Sequence, residues 1–438
     1  FTMTSAVCTD CGIGCPDPSM TRTIEVQLQA TEAVAAGYGV SSLTTSNWTV
    51  SDVTYSTQEA LLAGETVTVT VTGDVLDCGQ WFNVYFNVCD LAPAGWGDAC
   101  PTEAADWSQT GADIDGEAGG DGSGDSVALS SDGSIVAVGG PGNDDNGAGA
   151  GHVRVYEYAG GVWTQLGSNI DGESAGDQSG RSVSLSPDGS VVAIGAYGND
   201  ANGADAGHVR VYQYSSGAWS QLGSDIDGES AGDQSGHSVS LSSDGSVVAI
   251  GALFNDANGL GSGHVRVYQY SGGMWSQLGS DIDGEAADDR SGESVSLSSD
   301  GSVVAIGARY NDGNGTNAGH VRVYQYNGSA WTQLGSDIDG EAAGDCSGKS
   351  VALSSDGSVV AIGAHANAGN GTYAGHVRVY HYNGSAWTQL GSDIDGEAAG
   401  DCSGKSVSLS SEGSVVAIGA PFNDGTGTNA GHVRVYQR

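Results

Sequence analysis

Six tryptophans stand at a fixed step of 56 residues: Trp107, Trp163, Trp219, Trp275, Trp331 and Trp387. Histidine keeps the same step at His152, His208, His264, His320, His376 and His432. No insertion disturbs the register, so residues 107–438 are six copies of one unit. Such regularity gives every unit an equivalent place in a symmetric array, because a structural repeat buries its apolar face against its neighbours.

One unit shows what is being repeated. Trp219-Ser-Gln-Leu-Gly leads to Asp225-Ile-Asp-Gly-Glu and then to Ser238-Val-Ser-Leu-Ser, which alternates with the period of a strand. Asp244-Gly245 is a hairpin turn. Val247-Val-Ala-Ile is continuously apolar and predicts a strand buried on both faces. After Asn255-Asp-Ala-Asn-Gly, the stretch Gly263-His-Val-Arg-Val-Tyr puts Val265 and Val267 on one face, His264 and Arg266 on the other. Helix signals are absent. Four short antiparallel strands, repeated radially, make a propeller blade. The competing arrangement, a linear β-solenoid, uses shorter coils and needs terminal caps. The chain reaches Arg438 where a seventh Trp strand would be due, so residues 107–110 are expected to complete the last blade and close the ring.

The string Asp-x-Ser-Gly-x-Ser-Val-Ser-Leu-Ser-x-Asp-Gly-Ser-Val-Val-Ala-Ile-Gly-Ala, ending in Gly-His-Val-Arg-Val-Tyr, resembles the FG-GAP repeat. That resemblance covers residues 107–438 and implies the propeller of integrin α subunits and of many microbial and algal surface proteins. It implies a fold far more than a function. Integrin-type repeats often place an Asp-x-Asp-x-Asp-Gly calcium loop between the first two strands of a blade. Here that place holds only Ser-Ser-Asp-Gly, as at Ser243–Gly245, so the family's calcium site does not carry over.

Residues 1–106 contain no copy of the repeat but hold six of the eight cysteines: Cys8, Cys11, Cys15, Cys78, Cys89 and Cys100. Strand-like runs at 23–30, 48–55, 65–71 and 81–89 predict a small disulfide-rich, sandwich-like β-domain. Zinc is disfavoured because no histidine lies there. Phe1–Val7 reads either as a frayed end or as an arm that pairs with a neighbouring molecule. The fold expected overall is all-β: this domain followed by a six-bladed propeller.

The chain carries 13 Lys plus Arg against 53 Asp plus Glu, a formal charge of −40. This balance argues against nucleic acid and anionic membrane as partners, since both require basic surface. No apolar run approaches the ~20 residues of a membrane span. The cysteine-rich start, and Asn-x-Ser/Thr sequons at Asn47, Asn314, Asn327, Asn370 and Asn383, point to an extracellular or cell-surface location. The chain opens on Phe1 rather than Met, which fits either a removed leader or a fragment.

Candidate sites follow the repeat. Arg154, Arg210, Arg266, Arg322, Arg378 and Arg434 are mid-strand in every unit and are expected to bridge blades, through an Asp of the Asp-Ile-Asp-Gly segment. Six-bladed fucose lectins line inter-blade pockets with Arg, Glu and Trp, and this unit offers Arg266, Glu229 and Trp219. Asp225, Asp227, Glu229 and Asp233, with Asp281, Asp283 and Glu285 one unit on, crowd carboxylates into a loop and make calcium the candidate cofactor. Cys346 and Cys402 are one repeat apart and are expected to form an inter-blade disulfide. No catalytic constellation stands out, so the chain is expected not to be an enzyme. The functional expectation is an extracellular structural or adhesive protein that self-associates through the N-terminal domain and the propeller; the alternative is a multivalent carbohydrate-binding propeller with glycan ligands. Removing residues 101–112 should lower the melting temperature sharply, and an unchanged melting temperature would count against ring closure by residues 107–110.

Overall fold

A computed structural model describes residues 109–425 and 427–438 in full, and the backbone of six strands before them. The chain divides into two compact units, Phe1–Ser108 and Gln109–Arg438. In the first, Thr2–Cys8, Thr21–Gln29, Thr66–Asp74 and Thr49–Tyr55 form a four-stranded sheet in that order, and Tyr38–Thr44 pairs with Tyr85–Asp90. The reading of Phe1–Val7 as a frayed end or an intermolecular arm is thus corrected, because Thr2–Cys8 pairs with Thr21–Gln29 of its own chain. Sandwich packing, the side chains of the six cysteines, and Asn47 lie outside the described residues.

The second unit is a six-bladed β-propeller. Blade 3 is typical: an inner strand Ser235–Leu241, a second strand Val247–Ala252, a third strand His264–Ser271 and an outer strand Met274–Gln277, each antiparallel to the next. The second strand is fully buried, as its apolar run demands. The start of the third strand is buried on both faces too, as an arginine that bridges blades requires. His264 and Arg266 are as buried as Val265 and Val267, because blades stack on both sides and the polar face looks into a seam, not into water.

Each seam has its own core. Val191, Ala193, Val209, Val211 and Ile226 of blade 2 and the segment following it pack on Val248 and Ile250 of blade 3. At ~1.5–3 kcal/mol per buried branched side chain, these seams dominate the apolar stabilisation. Tryptophan completes them from outside: Trp275 Nε1 donates to the Leu222 carbonyl at 2.7 Å and its ring lies 5.2 Å from that of Tyr270. Nearer the axis, the backbones nearly touch. A Cβ on Gly251 would sit 2.1 Å from the Gly292 carbonyl oxygen of blade 4, an oxygen that also accepts a 2.8 Å hydrogen bond from Ser238 Oγ.

Among the described residues, five such seams join the six blades. The outward-looking faces of the first and last blades are exposed, at Val127 (64%) and Leu129 (58%), and at Val433 (68%) and Val435 (58%). Residues 107 and 108 lie outside the described residues, residues 109 and 110 belong to no strand, and His432–Gln437 pairs with Val415–Ala420 alone. Thr110 nonetheless takes the part that Leu166 plays one unit on, accepting the Trp163 indole at 2.7 Å just as Leu166 accepts Trp219. Gly251→Ala should cost about 2–3 kcal/mol of stability in chemical denaturation through overpacking, whereas Gly119→Ala, where nothing lies within 4 Å of a new Cβ, should be neutral.

Candidate functional site

The repeat-invariant polar residues meet at the seams. Ile226–Asp227 pairs with Val209 and His208 of blade 2, which aims the Asp227 carbonyl at blade 3. Arg266 Nη2 donates to it at 2.6 Å, its Nη1 lies 3.7 Å from Glu229 Oε1, and its guanidinium stacks 5.5 Å over Tyr268. Arg154, Arg210, Arg322, Arg378 and Arg434 repeat the carbonyl bond, to residues 115, 171, 283, 339 and 395. The other carboxylate oxygen of each glutamate faces the neighbouring imidazole: Glu229 Oε2 is 3.8 Å from His264 Nδ1. Burial, reinforced by the adjacent arginine, pulls His208, His264 and His320 down to about 4, so these rings are neutral at pH 7.

The loop carboxylates do not converge as a calcium loop requires. Asp233 turns inward and accepts the Ser230 amide and Asn255 Nδ2, both at 3.0 Å. Glu229 belongs to the seam of Arg266 and His264, where Asp281 joins it, while Asp225 belongs to the preceding seam with Glu173 and His208. Asp283 Oδ1 lies 4.0 Å from His264, and Glu285 takes the place of Glu229 beside Arg322 and His320. Nor is the lectin-like trio assembled. Trp219 donates to Leu166 across the seam of blades 1 and 2, whereas Arg266 and Glu229 meet across that of blades 2 and 3.

Cys346 and Cys402 are free thiols, contrary to the expected bridge. Each amide is tied to its own preceding loop, Cys346 N to Asn317 O and Cys402 N to Tyr373 O, which keeps the pair a blade apart. The sequon reading narrows as well. Asn314 and Asn370 use Nδ2, the atom a glycan would need, to donate to the Gly340 and Gly396 carbonyls at 2.8 Å. Asn327 and Asn383 sit exposed at hairpin tips with only Oδ1 engaged.

A second site lies where the repeats differ. The position at the start of the inner strand reads Asp125, Arg181, His237, Glu293, Lys349 and Lys405 in successive blades. Neighbours pair around the axis: Arg181 with Asp125, and Lys349 Nζ with Glu293 Oε1 at 2.6 Å. The loops after the second strands add Tyr197, Phe254, Arg309, Tyr310, His365 and Phe422. Arg309 Nη1 is 3.0 Å from Glu293 Oε1, and its guanidinium carbon is 4.5 Å from the Tyr310 ring centre. Arg290 lies between Phe254 and Tyr310, 4.9 and 4.6 Å from their rings. Tyr197 donates to Gln178 Oε1 at 2.5 Å and packs beside His237. Glu293 is 7% exposed. Burial raises its proton affinity, but Lys349 and Arg309 overcome this and hold the carboxyl below its ordinary value. His237 and His365 are pulled down to about 4, mainly by burial. The cluster therefore offers an ionised carboxylate, two neutral imidazoles and several cations at one mouth of the axis, with His237 Nδ1, His365 Nδ1 and Glu293 Oε2 lacking hydrogen-bond partners.

Sequence reasoning searched the repeated residues and passed over this site. Its signal was the set of positions at which otherwise uniform units disagree.

The architecture is that of a propeller whose blades are each preceded by a short inter-blade Asp-Ile-Asp segment, or Asn-Ile-Asp at 169–171. The FG-GAP repeat family model matches residues 170–212 and 281–324, each running through the third strand of a blade. The chain thus carries FG-GAP repeats, and its fold is a six-bladed propeller. No curated protein sequence matches the chain. Among solved structures it is similar to a protein assigned as a 6-phosphogluconolactonase from Bacteroides uniformis, at TM-score 0.49 and 12% identity, over 72% of this chain and 81% of that one. The periplasmic gluconolactonase of Pseudomonas aeruginosa gives TM-score 0.49 and 17% identity, over 72% and 80%. Hydrazine synthase from Kuenenia stuttgartiensis gives TM-score 0.42 and 12% identity, over 76% and 99%. The lactonase names belong to those two proteins; the expectation that this chain is not an enzyme does not stand, for a reason in its own residues. That expectation rested on the lack of a unique constellation of titratable groups, and the axial cluster is one.

A buried neutral imidazole takes up its proton only on unfolding. Folding stability should therefore fall as pH drops from the ordinary 6.5 of histidine toward the folded value of about 4. In urea titrations across that window, His237→Gln should flatten the fall; an unchanged slope would show that His237 is not held neutral.

Proposed function

We propose that the protein is an extracellular structural or adhesive subunit that self-associates, the acidic N-terminal unit of one copy meeting the axial mouth of the next propeller. One observation carries this reading. Arg181, Arg290, Arg309, Lys349 and Lys405 are the propeller's basic residues outside the invariant seam arginines, apart from Arg438. They gather at the blade ends where the inner strands begin, in a chain of net charge −40. Residues 1–106 are correspondingly acidic, with Arg22 their sole basic residue. Opposite patches on one chain favour head-to-tail contacts, which build filaments when the rotation does not close.

The seams suit this role, because repeated pinning of backbone to backbone makes a stiff body able to transmit load. The exposed sequons Asn327 and Asn383, and the cysteine-rich first unit, support an extracellular setting.

Electron microscopy of the native material should show end-to-end assemblies. The double variant Lys349→Glu with Lys405→Glu should dissolve them to single copies, as should salt near 1 M, where screening acts over ~3 Å. Single particles at low salt from the unaltered protein would overturn the reading.

A further inference from the structure

The seam histidines pose an unsolved problem of hydrogen bonding. His208, His264 and His320 are at most 1% exposed, and neither nitrogen of any of the three has a partner. His152 Nδ1 is likewise unpartnered. A buried polar atom with nothing to bond costs about 1–3 kcal/mol, and this cost recurs blade after blade. Each Nδ1 is aimed at carboxylate oxygens: Glu117, Glu173, Glu229, Glu285 and Glu341 stand 3.5, 3.9, 3.8, 3.8 and 3.9 Å from their histidines.

A third donor completes each group. In four seams it is Asp225, Asp281, Asp337 or Asp393, with all three ligand atoms within 4.8 Å of one another. The first seam departs from this pattern in an instructive way. The residue equivalent to Asp225 is Asn169 there, so the carboxylate is lost. Asp145 supplies the missing oxygen instead, at a position that holds Ala201, Ala257, Gly313 and Gly369 in the later units. The donor set of one imidazole and two carboxylates is thus retained by a different route. A seam needing only packing or one ion pair would not call for that replacement.

We propose that these five groups bind divalent metal ions of the zinc or manganese class, one per seam. The donors decide the class. Calcium prefers an all-oxygen shell of six to eight ligands, whereas zinc and the first-row transition ions accept imidazole nitrogen beside carboxylate. An ion ~2.1 Å from each donor holds them ~3.4–4.2 Å apart, and the His–Glu separations already fall there. Arginine does not compete for the ligand atom, because it faces Oε1 while the imidazole faces Oε2. The ion would tie the third strand of one blade to the segments on either side of it. The sixth blade keeps His432 and Glu397, 3.5 Å apart, but among the described residues has no third donor.

The test is calorimetric titration of Zn²⁺ into the full chain after chelator treatment, beside the triple variant Glu229→Gln, Glu285→Gln, Glu341→Gln. These glutamate side chains are 40–44% exposed and glutamine keeps their shape, so the variant should fold. The unaltered chain is expected to bind Zn²⁺, the variant to bind three fewer ions per chain, and Ca²⁺ at equal concentration not to displace Zn²⁺. Co²⁺ in place of Zn²⁺ should give a visible absorption band that weakens by about three-fifths in the variant. Equal stoichiometry in both proteins, no binding at all, or displacement by Ca²⁺ would each overturn the proposal.

Discussion

The bond from a buried arginine to a backbone carbonyl of the preceding segment fixes how one blade sits on the next. Arg266 sits 5% exposed in the middle of a strand, where a charge without compensation would be costly. The Asp227 carbonyl, the Tyr268 ring and the Glu229 carboxylate supply that compensation together. The carbonyl is available only because Ile226–Asp227 is already paired to the previous blade. Blade spacing, the glycine contacts near the axis and the outer tryptophan bond all follow from that one placement.

Uniform seams have a functional consequence. Where every unit spends the same side chains on holding its neighbour, specific chemistry must come from positions the seams do not use. Such positions lie at the inner blade ends, where loops from successive blades converge and side chains one unit apart can touch. Glu293 with Lys349, and Asp125 with Arg181, are pairs of this kind. The cost of burying Glu293 is offset by two cations drawn from its own and the next blade, so the pairing depends on residue choices that no single unit contains.

Much of the fold was legible from period alone. Val-Val-Ala-Ile read correctly as a strand buried on both faces, since a continuous apolar run has no face to give to water. The polar face of His-Val-Arg-Val-Tyr was legible in part: an arginine in mid-strand in every unit pointed to a bridge between blades, but alternation reports only which residues share a face, so the burial of the histidine beside it was not readable. The loop carboxylates misled for a different reason. Asp225, Glu229 and Asp233 are close along the chain, yet they point into two seams and an inward pin, because the strand ends at Asp227 and the chain bends at 229–230 and turns at 231–232.

The sequence by itself determined the six units, their four-strand grammar and the glycines that let backbones meet, because all of these repeat with a period that can be counted. Tertiary structure alone decided which residues become neighbours across a seam and around the axis. Asp145 standing in for Asn169, and His237, Glu293, Arg309 and Lys349 gathering at one mouth, join residues from different segments, in several cases a full unit apart. Nothing in their local spacing encodes that distance; the curvature of the stacked blades sets it.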